Sequence, residues 1–247
     1  KSDSHPFHLK FNTGLNRLGF SINDIDELYN ILNGKTNIKY LFSHLGASED
    51  LNEKAFTNNQ IKLFEKISIK MEAKFEKKFK KHLLNTSGIM NYSEYKYDMV
   101  RTGIGLYGYG NDKKYSKNLK PVISLRSVIS QIHFIKKGES VGYKRAFIAP
   151  RDMKVGVIPM GYADGLQRSW GNGLLKFIFE GQPLPTLGVI SMDSCIVDLS
   201  EVKNISIGDE VTYFGQERSL WDLADELDTI PYEITTILSK RIKRVYF

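Results

Sequence analysis

The sequence predicts an α/β plus β protein in which the C-terminal half of a (β/α)8 TIM-type barrel is followed by a mainly β domain. Three observations predict this fold. Strand-like and helical segments alternate over the first 110 or so residues, polar residues follow each predicted strand, and short β-type runs begin near Lys120. We assign residues 1–119 to the barrel half and residues 120–247 to the β domain.

The barrel half begins with a strand in PFHLKFN (6–12), where apolar and polar residues alternate. A helix follows over residues 25–32, because apolar residues recur there at helical spacing. Ser21 or Asp24 is suited to cap the start of this helix, and Gly34 is suited to end it.

The same alternation continues to about residue 110. IKYLF (38–42) is a second strand, a long helix is expected over roughly 52–78, and KHLLNTSG (81–88) contains a third strand. YDMVRTGIGLYG (97–108) contains the last predicted strand. Four such strand–helix units amount to half of an eight-stranded barrel.

The β domain is predicted from short apolar runs bounded by turn residues. These runs are ISLRSVISQIHFI, KVGVIP, KFIFEG, GVISMD, CIVDL and DEVTYFG. Helices return late, in SLWDLADELD (219–228) with Ser219 as its cap, and after Pro231, which suits a first helical position.

Composition excludes several classes of protein. The 247 residues are 41% hydrophobic and 26% charged, which is ordinary for a globular protein and unlike a disordered one. Cys195 is the single cysteine, so an intrachain disulfide is excluded and a reducing, cytoplasmic location is expected. No run of about 18 apolar residues is present to cross a membrane.

The net charge of +7 raises the question of nucleic-acid binding. Much of the charge lies in KMEAKFEKKFKK (70–81), where glutamates alternate with lysines. This pattern is typical of a solvated helix face, whereas a nucleic-acid site would present a patch of one sign with interleaved aromatic residues. We therefore expect a small-molecule substrate and neither a nucleic-acid nor a membrane partner.

Polar residues after the predicted strands indicate a ligand site at the barrel mouth. They are Asn12 and Thr13, then His44, then Asn85, Thr86 and Ser87, and finally Arg101 and Thr102. NTSG and GIG offer hydroxyl and backbone N–H groups suited to a phosphate, with no P-loop motif present. Taken singly, each residue has an ordinary alternative role as a helix cap, a structural histidine or a surface ion pair.

Tyr143 lies in VGYKRAF between a glycine and the basic pair Lys144 and Arg145. A phenol is a weak base at neutral pH, but cationic neighbours lower its pKa. The sequence thus leaves two readings open for Tyr143, a proton-transfer base or an ordinary interface or core aromatic residue.

Seven motifs together resemble the alanine racemase family. In chain order they are HLKFNTGLNRLGF, SHLGASED, LLNTSG, VRTGIGLYG, SVGYKRA, GYADGLQR and GVISMD. The resemblance extends from His8 over essentially the whole chain, which corresponds to the C-terminal two-thirds of a family member. It implies a pyridoxal 5'-phosphate-dependent (fold-type III) isomerase that interconverts L- and D-alanine through a cofactor aldimine by two-base proton transfer and supplies D-alanine for peptidoglycan.

The resemblance also implies roles for single residues. Tyr143 is similar to the family's catalytic tyrosine, which takes the α-proton from L-alanine. Arg101 resembles the arginine at the pyridine nitrogen of the cofactor, and His44 resembles the histidine that links this arginine to the tyrosine. Arg17 and Met192 match residues near the substrate carboxylate.

Further matches concern the cofactor, the entry corridor and the dimer. The matching cofactor-binding positions are Asn85, Thr86, Ser87, Gly103 and Ile104. Lys10 matches a lysine that some members carbamylate, and Tyr162 and Arg168 match residues of the entry corridor. The family's β domain closes the partner's barrel mouth, so a homodimer with shared active sites is implied. Tyr143, Tyr162 and Met192 would then serve the partner's site.

The chain departs from the family pattern in places. The family's Schiff-base lysine lies in an N-terminal motif resembling VKANAYGHG, which these residues do not contain. We therefore expect a piece of a longer racemase that is inactive alone. Lys240 stands where many members have a phosphate-contacting tyrosine, and Val189 and Ser191 stand where corridor arginine and cysteine are common. The alternatives are a noncatalytic dimerisation or cofactor-binding fragment and a barrel-type pyridoxal-phosphate amino-acid decarboxylase.

Overall fold

The computed structural model describes residues 5–32 and 37–247, with Ser116 and Lys117 described by their backbone alone. The chain divides into two compact units, residues 1–120 and residues 121–247. The first is a parallel sheet with crossover helices, and the second is mainly β. The predicted fold class, half of a (β/α)8 barrel followed by a mainly β domain, is confirmed.

Over its described residues, the first unit contains three parallel strands in the order β1, β2, β3, with helices between and after them. The strands are β1 (Phe7–Lys10), β2 (Ile38–Phe42) and β3 (Lys80–His82). The helices are α1 (Ile25–Leu32), α2 (Lys54–Lys74) and α3 (Thr86–Asn91). The helices cover one face of the sheet, and the core there contains Leu9, Leu41, Ile61, Phe64 and Met71.

Helix α1 begins through a short 3-10 turn rather than directly. Ser21 caps that turn: its side chain accepts from the backbone N–H of Asn23, and the Asp24 carboxylate in return accepts from the Ser21 N–H. This reciprocal pair is a capping box, so both candidate residues take part. Gly34, predicted to end the helix, lies outside the described residues.

The prediction of a fourth strand in residues 97–108 is wrong. The structure has only an isolated parallel bridge between His82 and Met99 there. The chain then turns at Gly103 into a 3-10 helix over Ile104–Tyr107. Two glycines within three residues favour such a turn over an extended ladder. Arg101 still lies beside β3, because its N–H donates to the Leu84 carbonyl at 2.9 Å.

Strand register places the side chains of Lys10, Phe42 and His82 in one row across the sheet. Lys10 pairs with Phe42, and Phe42 pairs with His82. Because alternate residues of a strand point to opposite faces, all three lie on the face away from the buried Leu9 and Leu41. This row ends where the three strands give way to the loops of the candidate site.

The second unit contains nine strands, seven of which form one antiparallel sheet in the order β4-β12-β9-β10-β11-β8-β5. These are β4 (Leu125–Val128), β5 (Gln131–Ile135), β8 (Met153–Ile158), β9 (Lys176–Phe179), β10 (Gln182–Leu187), β11 (Cys195–Asp198) and β12 (Glu210–Phe214). A separate hairpin pairs β6 (Ser140–Val141) with β7 (Phe147–Ile148).

Two assignments in the second unit differ from the prediction. GVISMD (188–193) is a loop between β10 and β11, although its composition is β-like. The preceding QPLPTL is a strand that the sequence reading missed because it contains Pro183 and Pro185. Both prolines lie where β10 pairs with β9 alone, since pairing with β11 begins only at Thr186. Proline is tolerated in a strand where one edge is unpaired.

The late helices are confirmed. α4 (Leu220–Glu226) begins after Ser219, whose side chain accepts from the Asp222 N–H at 3.1 Å. α5 (Pro231–Ile237) has Pro231 in its first turn. Among the helices of the described residues, none has the length and apolar character needed to cross a membrane.

Candidate active site

Arg101 is the centre of a hydrogen-bond network at the C-terminal ends of the strands. Its Nη2 donates to the carbonyl oxygens of Ser43 at 2.8 Å and Leu83 at 3.0 Å. The same atom lies 3.3 Å from Nδ1 of His44, and Nη1 donates to Nδ1 of His82. An arginine always carries its protons, so both histidines act as acceptors here.

On the side away from Arg101, His82 contacts a third histidine, His8. Nε2 of His82 lies 3.0 Å from Nδ1 of His8. Because Nδ1 of His82 already accepts from the guanidinium, its Nε2 carries the proton and donates to His8. The imidazole of His82 also stacks on Phe42, with ring centroids 4.7 Å apart. The tautomer and the orientation of His82 are therefore both determined by its neighbours.

His44 and His82 are neutral at physiological pH. Burial, followed by the charges of Arg101, Arg17 and Lys10, lowers the pKa of His44 to about 4. Burial and the nearby Arg101 and His8 lower the pKa of His82 to about 4. A neutral His44 that accepts at Nδ1 has its proton on Nε2, so it can donate a hydrogen bond from that atom.

The ring of Phe42 lies close to two cations of the site, Arg101 and Lys10. The Arg101 guanidinium carbon lies 5.7 Å from the ring centroid, and the Lys10 ammonium nitrogen lies 5.8 Å from it. Burial and the charges of Arg17 and Arg101 lower the pKa of Lys10. A lysine with a lowered pKa presents more of its neutral amine, which is the reactive form of the group.

Arg17 is carried on an exposed loop that returns to the strand. Gly19 must be a glycine, because a Cβ there would lie 2.7 Å from the Asn12 nitrogen and its φ is +120°. Asn12 shapes the loop: its Oδ1 accepts from the N–H groups of Gly14 and Asn16. The loop exposes the Arg17 side chain, whose charge nevertheless reaches both His44 and Lys10.

A group of small and hydroxyl residues lies at the start of α3. It comprises Thr86, Ser87, Thr102, Gly103 and Gly105, and we call it the cradle. Thr86 Oγ1 accepts from the Gly103 N–H at 3.1 Å and lies 3.5 Å from Thr102 Oγ1. A Cβ on Gly105 would lie 2.7 Å from Thr102 Oγ1, so a larger residue there would displace the hydroxyls of the cradle. Within the described part of the chain, the buried hydroxyl of Ser87 has no hydrogen-bond partner. Buried polar groups are seldom left unpaired, and this hydroxyl belongs to the residue next to Thr86, so it is available to a ligand atom or a water.

Asn85 is the cap of α3 rather than an evident ligand of the cradle. Its Oδ1 accepts from the Gly88 N–H at 2.9 Å and from the Ser48 hydroxyl at 2.9 Å. The predicted positions Thr86, Ser87, Gly103 and Ile104 lie around the cradle, with Ile104 at the start of the 3-10 helix. Asn85 supports the cradle by fixing the first turn of the helix.

In the second unit, Tyr143 is at the tip of the β6–β7 hairpin. Its side chain is 68% exposed. The tip has unusual backbone geometry, because Lys144 and Arg145 both have φ in the left-handed region, at 58° and 52°. Residues other than glycine rarely adopt this conformation, and such strain is most often found at functional positions.

Tyr162 and Met192 lie on adjoining loops of the same unit. The Tyr162 N–H donates to the Ser191 carbonyl at 3.0 Å, and the Ala163 N–H donates to the Met192 carbonyl at 2.9 Å. Both side chains are exposed, at 43% for Tyr162 and 54% for Met192. Arg168 is exposed at the start of a short 3-10 helix a few residues further on.

One loop connects the Tyr143 hairpin with the Tyr162 turn. A Cβ on Gly142 would lie 3.8 Å from the Val189 nitrogen, and Ser191 and Met192 contact the Tyr162 turn. The second unit therefore exposes two aromatic side chains and one methionine on connected loops.

Two residues with several side-chain hydrogen bonds were not predicted from the sequence. His82 was read only as part of a strand, since nothing in KHLLNTSG distinguishes it from an outward-facing histidine. Arg241 was passed over within LSKRIKR, although in the structure it pairs with Asp164 and Asp193. The period-2 register with Phe42 is the signal that could have found His82.

Family models match nearly the whole chain. The model described as "Alanine racemase, N-terminal domain" matches residues 1–111, and "Alanine racemase, C-terminal domain" matches residues 122–246. Among curated relatives, the alanine racemase of Clostridium tetani is 34% identical over 249 residues and that of Rickettsia bellii is 34% identical over 252. These alignments cover 97% and 100% of this chain, but 64% and 60% of the relatives.

Solved structures agree with this match. The alanine racemase of Bartonella henselae, described with covalently bound pyridoxal phosphate, superposes with a TM-score of 0.86 at 34% identity and covers 98% of this chain and 66% of its own. That of Streptomyces lavendulae gives a TM-score of 0.87 at 26% identity, with 98% and 66% covered. The chain spans somewhat under two-thirds of the length of the curated relatives that it matches. This chain belongs to the alanine racemase family.

Proposed function

We propose that the protein to which this chain belongs is an alanine racemase that interconverts L- and D-alanine with pyridoxal 5'-phosphate. The observation that carries the proposal is Arg101, a permanent cation held in place by two backbone carbonyls and two neutral histidines. The family match supports a racemase over a barrel-type decarboxylase or a noncatalytic fragment.

The residues present fit the cofactor. The buried, unpartnered hydroxyl of Ser87 and the tight approach of Gly105 to Thr102 suit a phosphate oxygen held by hydroxyl and N–H groups. Thr86 and Gly103 would supply the remaining donors. Arg101 would hold the ring nitrogen. When bound, pyridoxal phosphate supplies an electron sink that acidifies the Cα–H bond of an amino acid.

Arg101 would set the selectivity of the reaction. Its guanidinium donates a hydrogen bond but does not transfer a proton, so it would leave the ring nitrogen unprotonated. The electron sink is then weaker, and prompt return of a proton to Cα is favoured over side transamination. The fixed acceptors of Arg101 would keep the guanidinium in one orientation during turnover.

Tyr143 of one subunit would move the proton at Cα of L-alanine in the partner's site. His44 would donate from Nε2 to the Tyr143 oxygen, because its Nδ1 already faces Arg101. This hydrogen bond would hold the Tyr143 oxygen in place to take and return the proton at Cα. Arg17 and Met192 would border the substrate carboxylate, with Lys10 orienting Arg17, while Tyr162 and Arg168 would line the approach.

A homodimer with shared sites forms part of the proposal. The exposed Tyr143, Tyr162 and Met192 lie on connected loops, which supports a surface that closes over a second copy. A cytoplasmic location and a contribution of D-alanine to peptidoglycan are proposed with it. The location rests on the single, buried cysteine, as is usual for proteins of a reducing compartment.

The proposal is tested by following alanine in D2O with the complete protein and added pyridoxal phosphate. The expected result is loss of the α-proton signal of L-alanine by NMR together with appearance of D-alanine on a chiral column. D-alanine should give the reverse. Release of carbon dioxide and ethylamine would instead identify a decarboxylase, and no change in either enantiomer would overturn the proposed activity.

A further inference from the structure

Arg241 joins three separate segments of the second unit. Its Nε donates to Asp164 Oδ1 at 2.6 Å and its Nη2 donates to Asp164 Oδ2 at 2.9 Å. The same Nη2 donates to Asp193 Oδ1 at 2.6 Å. One guanidinium therefore ties the segment after α5 to the loop 161–164 and to the loop 191–194.

Of the two ion pairs of Arg241, the one with Asp164 is the more rigid. Asp164 is 7% exposed, and its Oδ2 also accepts from the Gly161 N–H at 2.9 Å. Burial alone would raise the pKa of this carboxyl, but the bonds from Arg241 and Gly161 outweigh burial and keep the pKa below its usual value. A two-point arginine–carboxylate pair restricts angle as well as distance, so it fixes the two segments relative to each other.

Asp193, the other partner of Arg241, lies directly after Met192 in the loop 191–194. The Met192 carbonyl accepts from Ala163, and a Cβ on Gly161 would lie only 2.3 Å from that carbonyl oxygen. The backbones of the two loops are thus in contact, and Arg241 binds a carboxylate from each. The exposed side chains of Tyr162 and Met192 project from the pair of loops that this single guanidinium holds.

We propose that Arg241 is a positioning residue that fixes the spacing of Tyr162 and Met192 and thereby the size of amino acid that the site accepts. The inference rests on the proposed function, in which these two side chains border the substrate and its approach. Arg241 itself touches no reacting atom. If the loops that carry Tyr162 and Met192 were held less tightly, there would be more room beside the substrate. Amino acids with larger side chains would then be accepted.

The test compares L-alanine with L-2-aminobutyrate, which is one methylene longer, using the complete protein loaded with pyridoxal phosphate. The quantity measured is the ratio of kcat/KM for 2-aminobutyrate to that for alanine. Enzymes typically discriminate one methylene by about 10- to 200-fold. We expect Arg241→Gln to raise the ratio about fivefold or more, mainly through KM. A variant that had merely lost folded protein would lose both rates equally and leave the ratio unchanged.

Two milder variants keep the test valid if Arg241→Gln fails to fold. Arg241→Lys keeps the charge but loses the two-point geometry, and Asp193→Asn removes only the exposed half of the arrangement. Both should raise the ratio in the same direction, by about two- to threefold. Arg244→Gln is the matched control, because the hydrogen bonds of this neighbouring arginine to the described residues go to backbone carbonyls.

The outcomes separate this inference from the proposed function. An active parent protein whose ratio is unchanged in Arg241→Lys and Asp193→Asn would overturn the positioning role and leave the racemase assignment intact. A shift in Arg244→Gln equal to that in Arg241→Lys would also overturn it, because it would indicate a general charge effect. A parent protein that racemises neither amino acid would overturn both proposals.

Discussion

Arg101 donates a hydrogen bond to Nδ1 of His82, and His82 in turn lies 3.0 Å from His8 through its other ring nitrogen. His82 can accept from a guanidinium only while it is neutral. The position of the Arg101 guanidinium therefore depends on the protonation state of His82. His44 stands in the same relation to Arg101 on the other side, at 3.3 Å.

The first prediction concerns pH. Both His44 and His82 have a pKa of about 4 in the folded protein, against an ordinary value of about 6.5. Between pH 6.5 and pH 4 the unfolded chain therefore binds more protons than the folded one, so the free energy of unfolding decreases as the pH falls. Two full shifts of this size would amount to about 5 kcal/mol between pH 7 and pH 4.5. Because the site is partly open to solvent, which screens the charges, we expect a loss of about 2 kcal/mol for the pair.

Urea unfolding of the complete protein at these two pH values measures the effect. The pH dependence should be weaker in His82→Gln, which cannot be protonated. His133→Gln is the control, because this histidine has an exposed side chain in the other unit. NMR titration of the ring protons should find two histidines with midpoints near 4. Midpoints at or above 6 would contradict the neutral network.

The second prediction is that Tyr143→Phe stops α-proton exchange from L-alanine more than exchange from D-alanine. The phenol oxygen is the proposed base on one side of the substrate only, so the other side retains its own base. We expect a loss of about 1,000-fold in exchange from L-alanine, since acid–base groups contribute roughly 100- to 10,000-fold. Equal rates for the two enantiomers, measured by NMR in D2O, would contradict the assignment. Cofactor binding should be unchanged.

Mixed dimers provide the control for shared sites. Dimers of Tyr143→Phe and Arg101→Ala subunits should each contain one site with both native residues. Random pairing would then restore about a quarter of the parent activity from two inactive proteins. Activity that stays at the level of the separate variants would mean that Tyr143 serves its own subunit's site.

The third prediction is that Arg101→Glu raises side transamination. A carboxylate at this position would stabilise a proton on the ring nitrogen of bound pyridoxal phosphate, and side transamination would then compete better with prompt return of a proton to Cα. We expect the pyruvate formed per racemisation to increase about tenfold or more, while racemisation falls by about 100-fold. Lactate dehydrogenase coupling measures the pyruvate. Arg244→Glu makes the same charge change at an exposed position, and it should not change the partition.

The fourth prediction separates binding from stability at the cradle. In Ser87→Ala the removed hydroxyl is buried and unpartnered, so the free energy of unfolding should stay the same or rise by up to about 1 kcal/mol. The dissociation constant for pyridoxal phosphate should nevertheless increase by about tenfold, the value of one hydrogen bond to a charged group.

Ser48→Ala is the matched comparison for this prediction. Ser48 is also buried, but its hydroxyl donates to Asn85 at 2.9 Å. Its loss should destabilise the protein by about 1–2 kcal/mol. A Ser87→Ala variant that is destabilised to the same degree, with unchanged cofactor affinity in a fluorescence titration, would show that Ser87 is only a packing residue.

Local sequence patterns were enough to predict the periodic elements and to find the residue types that the proposed chemistry requires. Strands β1 and β2, the caps at Ser21 and Ser219 and the helical start at Pro231 follow from local spacing and capping, so they could be read directly. The family was also readable, because seven motifs in fixed order constrain each other. These features depend on neighbours within about one or two turns of the chain.

Which of those residues come into contact depends on long-range packing and could not be predicted from local patterns. The role of His82 depends on parallel pairing with Phe42 across 40 residues of chain, and Arg241 reaches Asp164 across 77. The local sequence also misled in two places: GVISMD is strand-like in composition yet forms a loop, and QPLPTL is a strand despite its prolines. Each of these outcomes depends on which strands lie side by side, because long-range pairing decides whether a backbone group or a side chain finds a partner.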